Sequence, residues 1–87
     1  MTLFRVLVEV QLRPGIADPQ GATIERSLPA LGFEGIESVR VGKAIRFTIE
    51  ADDEHAARGK VEELCKRFLA NPVIEDATIS LSPEATG

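Results

Sequence analysis

The sequence is poor in the residues on which most enzyme chemistry rests. Its 87 residues include one cysteine, Cys65, and one histidine, His55. A single cysteine excludes an intrachain disulfide and a cysteine-ligated metal cluster, and a single histidine leaves no second imidazole for a zinc site. Tryptophan and tyrosine are absent and there are four phenylalanines, so an aromatic platform for stacking bases is hard to build. No apolar run reaches the roughly 18 residues of a membrane-spanning helix. Arg5 and Glu9 interrupt the N-terminal apolar stretch, so no signal peptide is expected. Positive charge is also scarce. The net charge is −4, which argues against general nucleic-acid binding. Seven glycines are present, but none forms a G-x-G-x-x-G turn or a P-loop. Cytoplasmic residence fits this composition.

The remaining chemical groups read as structural. His55 falls in the first turn of a predicted helix, where an exposed histidine is the simple reading. Cys65 adjoins Leu64 on an apolar helix side and reads as a partly buried, inert thiol. Glu62-Glu63 and Glu75-Asp76 are adjacent carboxylates, and neighbours in sequence do not share a face of a helix or strand.

What is present is a strong pattern of secondary structure. Phe4, Val6, Val8, Val10 and Leu12 alternate with mostly polar residues and predict a half-buried strand. Pro14-Gly15 supplies a turn. Asp18-Pro19 predicts a helix start, with an N-cap acceptor followed by proline. Ile24, Leu28 and Leu31 lie at helical spacing and predict its buried stripe. Pro29 predicts a kink or an end near Leu28, and Gly32 a C-terminal cap. A strand over about 36–41 and another over 44–51 predict a hairpin. Pairing Val41 with Ile45 and Val39 with Phe47 requires an odd-length loop or a bulge at Gly42. Asp52 or Asp53 caps a second helix whose apolar face carries Ala57, Val61, Leu64 and Phe68. Asn71-Pro72 stops it, and a last strand follows over about 73–81.

The order strand, helix, strand, strand, helix, strand predicts an α+β fold. The economical packing is a ferredoxin-like βαββαβ domain, an antiparallel four-stranded sheet with two helices on one face. Residues 1–82 form a single unit in this reading, with a disordered tail over 83–87. Arg5, Arg40 and Arg46 share the face opposite the core, with Lys43 at the hairpin tip. That patch reads either as a solvated face or as an interface to an acidic surface.

Three segments together resemble a known family. They are Leu12-Arg13-Pro14-Gly15-Ile16-Ala17-Asp18-Pro19-Gln20-Gly21, Val39-Arg40-Val41-Gly42-Lys43, and the run from Cys65 to Asp76 containing Asn71-Pro72-Val73-Ile74-Glu75. In this order, in so short a chain, they are similar to PurS, the small subunit of phosphoribosylformylglycinamidine synthase. Pro29 and Ala44 depart from the pattern. The resemblance implies a subunit that performs no catalysis itself, bridges a glutaminase subunit and an ATP-dependent synthetase subunit, and supports ammonia transfer in purine biosynthesis. It implies a homodimer or homotetramer, no nucleic acid or membrane partner and no cofactor on this chain, with ATP and Mg used by the complex. Partner contacts are expected at Arg13, Asp18, Arg40, Lys43 and Asn71. For Asp18 and Asn71, capping and helix termination stand as the competing reading. A rival reading is a small-molecule-binding regulatory module similar to ACT domains, which share the strand-helix order.

Overall fold

A computed structural model describes residues 1–84. Its elements are β1 (Thr2–Leu12), α1 (Pro19–Ser27), a 3-10 turn (Pro29–Leu31), β2 (Lys43–Ala51), α2 (Glu54–Leu64), a π-helical turn (Cys65–Leu69) and β3 (Glu75–Pro83). The fold is α+β, and its sheet has three strands, not four. β1 lies in the centre and pairs antiparallel with β2 on one side and β3 on the other.

The alternation in β1 positions the core. Phe4, Val6, Val8 and Val10 are buried on one face of the sheet. The register sets Ile45 and Ile79 beside Val8, and Phe47 and Leu81 beside Val6. A one-residue slip would turn this whole set outward. α2 crosses the same face and buries Ala57, Val61 and Cys65 at successive four-residue steps. Asp53 caps it, its Oδ1 accepting the Ala56 amide at 2.8 Å. Among the described residues the opposite sheet face carries no helix, and it exposes Arg5, Glu9, Arg46 and Glu50.

Three expectations are corrected. The first is the strand over 36–41, which does not form, so the hairpin and its odd-length loop do not exist either. Val39 and Val41 direct their amides to carboxylates instead, Glu25 Oε1 at 2.9 Å and Asp18 Oδ2 at 2.8 Å. Backbone donors engaged by side chains are withdrawn from a sheet ladder. Gly35 at φ 80° and Ser38 at φ 61° also break the extended path. With this strand missing, the ferredoxin-like four-stranded sheet is incomplete.

The second correction concerns α1. It caps and ends as its sequence predicts: Asp18 at the N-cap, Ser27 as the last helical residue, and Gly32 in the left-handed region at φ 91° closing the 3-10 turn. Yet its apolar stripe is not buried. Ile24 and Leu31 are exposed, and Phe33 and Ile36 beyond them are too. α1 and residues 28–42 form an arm standing away from the sheet. The radius of gyration is 17.0 Å and the principal extents are 53 × 34 × 15 Å, whereas a compact chain of this length has a radius of gyration of about 12 Å.

The third correction is Phe68, expected on the core face of α2 and found 81% exposed. After Cys65 the helix widens into a π turn, with the Ala70 amide bonding to the Cys65 carbonyl at 3.0 Å. The wider turn rotates later side chains out of the stripe. Cys65 occupies the buried position instead.

At the C-terminal end, β3 runs through Pro83 opposite Phe4, and the Glu84 amide donates to the Leu3 carbonyl at 2.9 Å. Of the tail expected over 83–87, residues 85–87 lie outside the described residues.

Candidate functional site

The sheet end from which the arm leaves gathers most of the polar side chains that the sequence singles out. β1 ends at Leu12, β2 starts at Lys43 and β3 starts at Glu75, so three connections meet there. Asp18 is the hub. Its Oδ1 accepts the Gly21 amide at 2.8 Å and caps α1, while its Oδ2 accepts the Val41 amide at 2.8 Å. One carboxylate therefore fixes both the start of the helix and the strand-like segment returning beside it. The side chain is only 7% exposed, and Arg40 Nε lies 3.9 Å from Oδ2.

The Gly21 and Val41 amide bonds, in that order, hold the Asp18 pKa below its ordinary value, with Arg40 adding a smaller pull and burial opposing them. A depressed folded-state pKa contributes stability that is complete above the ordinary value of 3.8. That stability is lost as pH falls through the lower folded value. The arm is therefore expected to loosen in acid below pH 3.8. Asp18→Asn keeps the capping oxygen but offers Val41 an amide group in place of the second oxygen. Its acid limb should be flatter and its melting temperature at neutral pH lower by several degrees, with the Gly21 and Val41 amide shifts in an NMR pH titration as the readout.

Arg40 turns onto the first loop. Its two terminal nitrogens donate to the Ile16 carbonyl at 3.3 Å and the Arg13 carbonyl at 3.4 Å. It does not join Arg5 and Arg46 on the open sheet face, because the strand that would have carried it there is absent. Arg13 ties the same loop to β3. Its amide donates to the Ile74 carbonyl at 2.8 Å, and its Nε lies 3.3 Å from Asp76 Oδ1 and 3.4 Å from the Glu75 carbonyl.

Asn71 closes the neighbouring turn. Its Oδ1 accepts the Val73 amide at 3.1 Å, and its own amide donates to Glu75 Oε1 at 2.7 Å. Lys43 opens β2 opposite Val10. It lines a groove of about 400 Å³ with Glu9, Arg40 and Gly42.

The structure thus brings Arg13, Asp18 and Arg40 into one braced network, with Lys43 beside it and Asn71 joined through Glu75. Asp18 and Asn71 spend their side-chain oxygens on the chain's own backbone. Arg13 and Arg40, each with a side chain 47% exposed, and the exposed Lys43 present charge outward. Glu25 is a structural residue that sequence reasoning missed. A mid-helix glutamate carries no local signal that its partner is a backbone amide fourteen residues away.

Outside this network, the remaining chemical side chains stand apart. Among the described residues, no three His, Cys, Asp or Glu side chains gather as metal ligands. His55 is exposed at the start of α2, about 15 Å along the helix from Cys65 at its other end. Burial, then Glu62, pushes the Cys65 thiol pKa up, away from the nucleophilic thiolate form.

Fold and site together define a small α+β domain with one tightly braced end and a projecting arm. Residues 5–83 match the family model PurS, phosphoribosylformylglycinamidine (FGAM) synthase. The chain belongs to the PurS family. It is 38% identical over 79 residues to the FGAM synthase subunit PurS of Methanocaldococcus jannaschii, covering 91% of this chain and 95% of the relative. The crystal structure of M. jannaschii PurS, one of the subunits of formylglycinamide ribonucleotide amidotransferase in purine biosynthesis, superposes with a TM-score of 0.84. Identity there is 36%, over 94% of this chain and 99% of that one. A chain in the structure of PurLQS from Thermotoga maritima gives a TM-score of 0.87 at 34% identity, covering 94% of this chain and all of that one. No described helix is long and apolar enough to cross a membrane.

Proposed function

We propose that this chain serves as the non-catalytic small subunit of FGAM synthase, joining a glutaminase subunit and an ATP-dependent synthetase subunit in the cytoplasm. The observation that carries this reading is the family match across nearly the whole chain together with the likeness to a complete chain of the T. maritima PurLQS assembly. The dispersal of His55 and Cys65 supports a role through surfaces. In this role the chain binds no cofactor, ATP and Mg are used by the synthetase subunit, and the chain also associates with itself.

The braced end is suited to docking. Internal bonds fix Arg13 and Arg40 before any partner arrives, which lowers the ordering cost of binding. Arg13, Arg40 and Lys43 supply outward charge, and Asp18 and Asn71 hold the loops that carry them. Ammonia released in open water would be protonated and diluted, so its transfer gains from an enclosed path. A rigid wedge between two larger subunits can help close such a path without an acid or base of its own.

Co-purification tests the reading. Tagged chain mixed with the glutaminase and synthetase subunits, with glutamine and ADP present, should elute as one assembly. Arg13→Glu with Lys43→Glu should reduce its recovery at least tenfold without changing the far-UV circular dichroism of the isolated chain. Elution of the three as separate species would overturn the proposal.

A further inference from the structure

We infer that the turn between α2 and β3, residues 66–74, seats Phe68 and Val73 in an apolar pocket, rimmed by carboxylates, on a larger subunit of the assembly. This rests on the reading that the chain works by assembly, and it names an anchor for that contact beside the braced loops.

The turn presents apolar surface that the chain itself does not use. Phe68 is 81% exposed and Val73 78%, the most exposed large apolar side chains after Met1 among the described residues. A single exposed apolar residue is ordinary, but here two lie five residues apart on one short turn. The core does not lack them. Leu69, next to Phe68, packs against the cluster of Val6, Val8, Val10, Val61 and Cys65, continuing the four-residue steps of Ala57, Val61 and Cys65. The π turn leaves Phe68 outside, and helix irregularities of this kind recur at functional sites.

The backbone that carries these side chains is fixed. The Ala70 amide closes the π turn on the Cys65 carbonyl at 3.0 Å. The Ile74 and Glu75 amides both donate to the Asn71 carbonyl, at 3.1 and 2.8 Å, and the Ile74 carbonyl accepts the Arg13 amide at 2.8 Å. A side chain on backbone already ordered loses little entropy on binding, and aromatic anchors set in a pocket dominate interface energies. The Arg13 bond also makes the turn continuous with the braced loops, so the two form one surface.

Charge selects the occupant. Residues 64–74 hold Lys66 and Arg67 and no acid, a balance of +2 in a chain of −4. Arg67 meets Glu63 at 3.2 Å with both side chains mostly exposed, a pairing that water and salt leave weak. A second copy seated on the same patch about a two-fold axis would set Lys66 and Arg67 against their own like charges. Carboxylates at the rim of an apolar pocket meet them with opposite charge.

The test is a titration of the glutaminase and synthetase subunits with the chain, glutamine and ADP present, read by sedimentation velocity. Phe68→Ala with Val73→Ala should raise the apparent dissociation constant at least tenfold. Phe68→Leu keeps an apolar anchor and should retain most of the affinity. Lys66→Glu should weaken assembly by a factor that shrinks as salt rises. Each variant should melt within about 4 °C of wild type, as exposed substitutions do, and the mass of the isolated chain should not change. A second measurement needs no variant: hydrogen exchange in wild-type peptides spanning 66–74 should slow at least tenfold when the chain joins the assembly. Unchanged affinity in a folded double variant, or unchanged exchange over the turn, would overturn the inference. A fall in the mass of the isolated double variant would overturn it too, by assigning the turn to a second copy. If wild type joins the larger subunits and the turn is indifferent, this inference alone falls; if wild type never joins them, the proposed function falls with it.

Discussion

Val61→Asp is expected to abolish folding. Val61 is fully buried on α2 and packs into the cluster of Val6, Val8, Val10 and Cys65. A carboxylate there would have no partner, and an unpaired charge in such a seam costs several kcal/mol even after its pKa rises. A domain of this length is stable by roughly 4–13 kcal/mol in total, and this one concentrates its apolar burial in a single sheet–helix layer. The variant should show no cooperative thermal transition and should collect in the insoluble fraction. Val61→Ala, which only leaves a cavity, should fold with a loss of about 2 kcal/mol. If Val61→Asp retained a transition within a few degrees of wild type, the assignment of α2 as the core's cover would be wrong.

Gly21→Ala carries the second large effect, and its sign is informative. In an open helix, alanine is better than glycine by about 1 kcal/mol, so the naive expectation is stabilisation. Here a Cβ at position 21 would collide with the Val39 carbonyl oxygen. That atom is backbone, held by the Glu25 and Asp18 bonds on either side of it, and it cannot swing aside. The steric term wins. α1 must part from residues 39–41, and both carboxylate–amide bonds should weaken together. The melting temperature is expected to drop by about 5–10 °C, a loss of one to two kcal/mol for a domain of this size. Hydrogen exchange at the Val39 and Val41 amides should accelerate at least tenfold, while the amides of β1 stay protected. A rise in melting temperature would show that the arm does not pack as described.

Much of this was legible in the sequence because it depends on near neighbours. The alternation from Phe4 to Val10 gave β1 and its inward face. Asp18-Pro19, Asp53 and Gly32 marked helix ends, since capping is a local bargain between one side chain and the next turn. The errors lie where distant groups compete. Val39 and Val41 look like a strand, but two carboxylates far from them in sequence take their amides. The periodicity of Ile24, Leu28 and Leu31 says that one side of α1 is apolar, and says nothing of whether the chain's own sheet covers it. Phe68 kept the right spacing for the α2 stripe until the π turn after Cys65 shifted the phase. At the site, the residue types singled out do converge on one sheet end. Their partners there, including Glu25 and Glu75, became visible only with the fold, because each bond spans a turn or a loop that sequence spacing does not measure.

In the proposed function, this chain would contribute surfaces, and no bond-making, to FGAM synthesis. The most direct test is an activity titration, adding the chain to fixed amounts of the glutaminase and synthetase subunits and measuring FGAM formation with glutamine as nitrogen donor. Little turnover is expected without the chain, and saturating recovery at a fixed stoichiometry. Full retention of that recovery is expected when His55→Ala and Cys65→Ala are combined. Full glutamine-dependent activity in the absence of the chain, or loss of activity in the double variant while the assembly still forms, would contradict it.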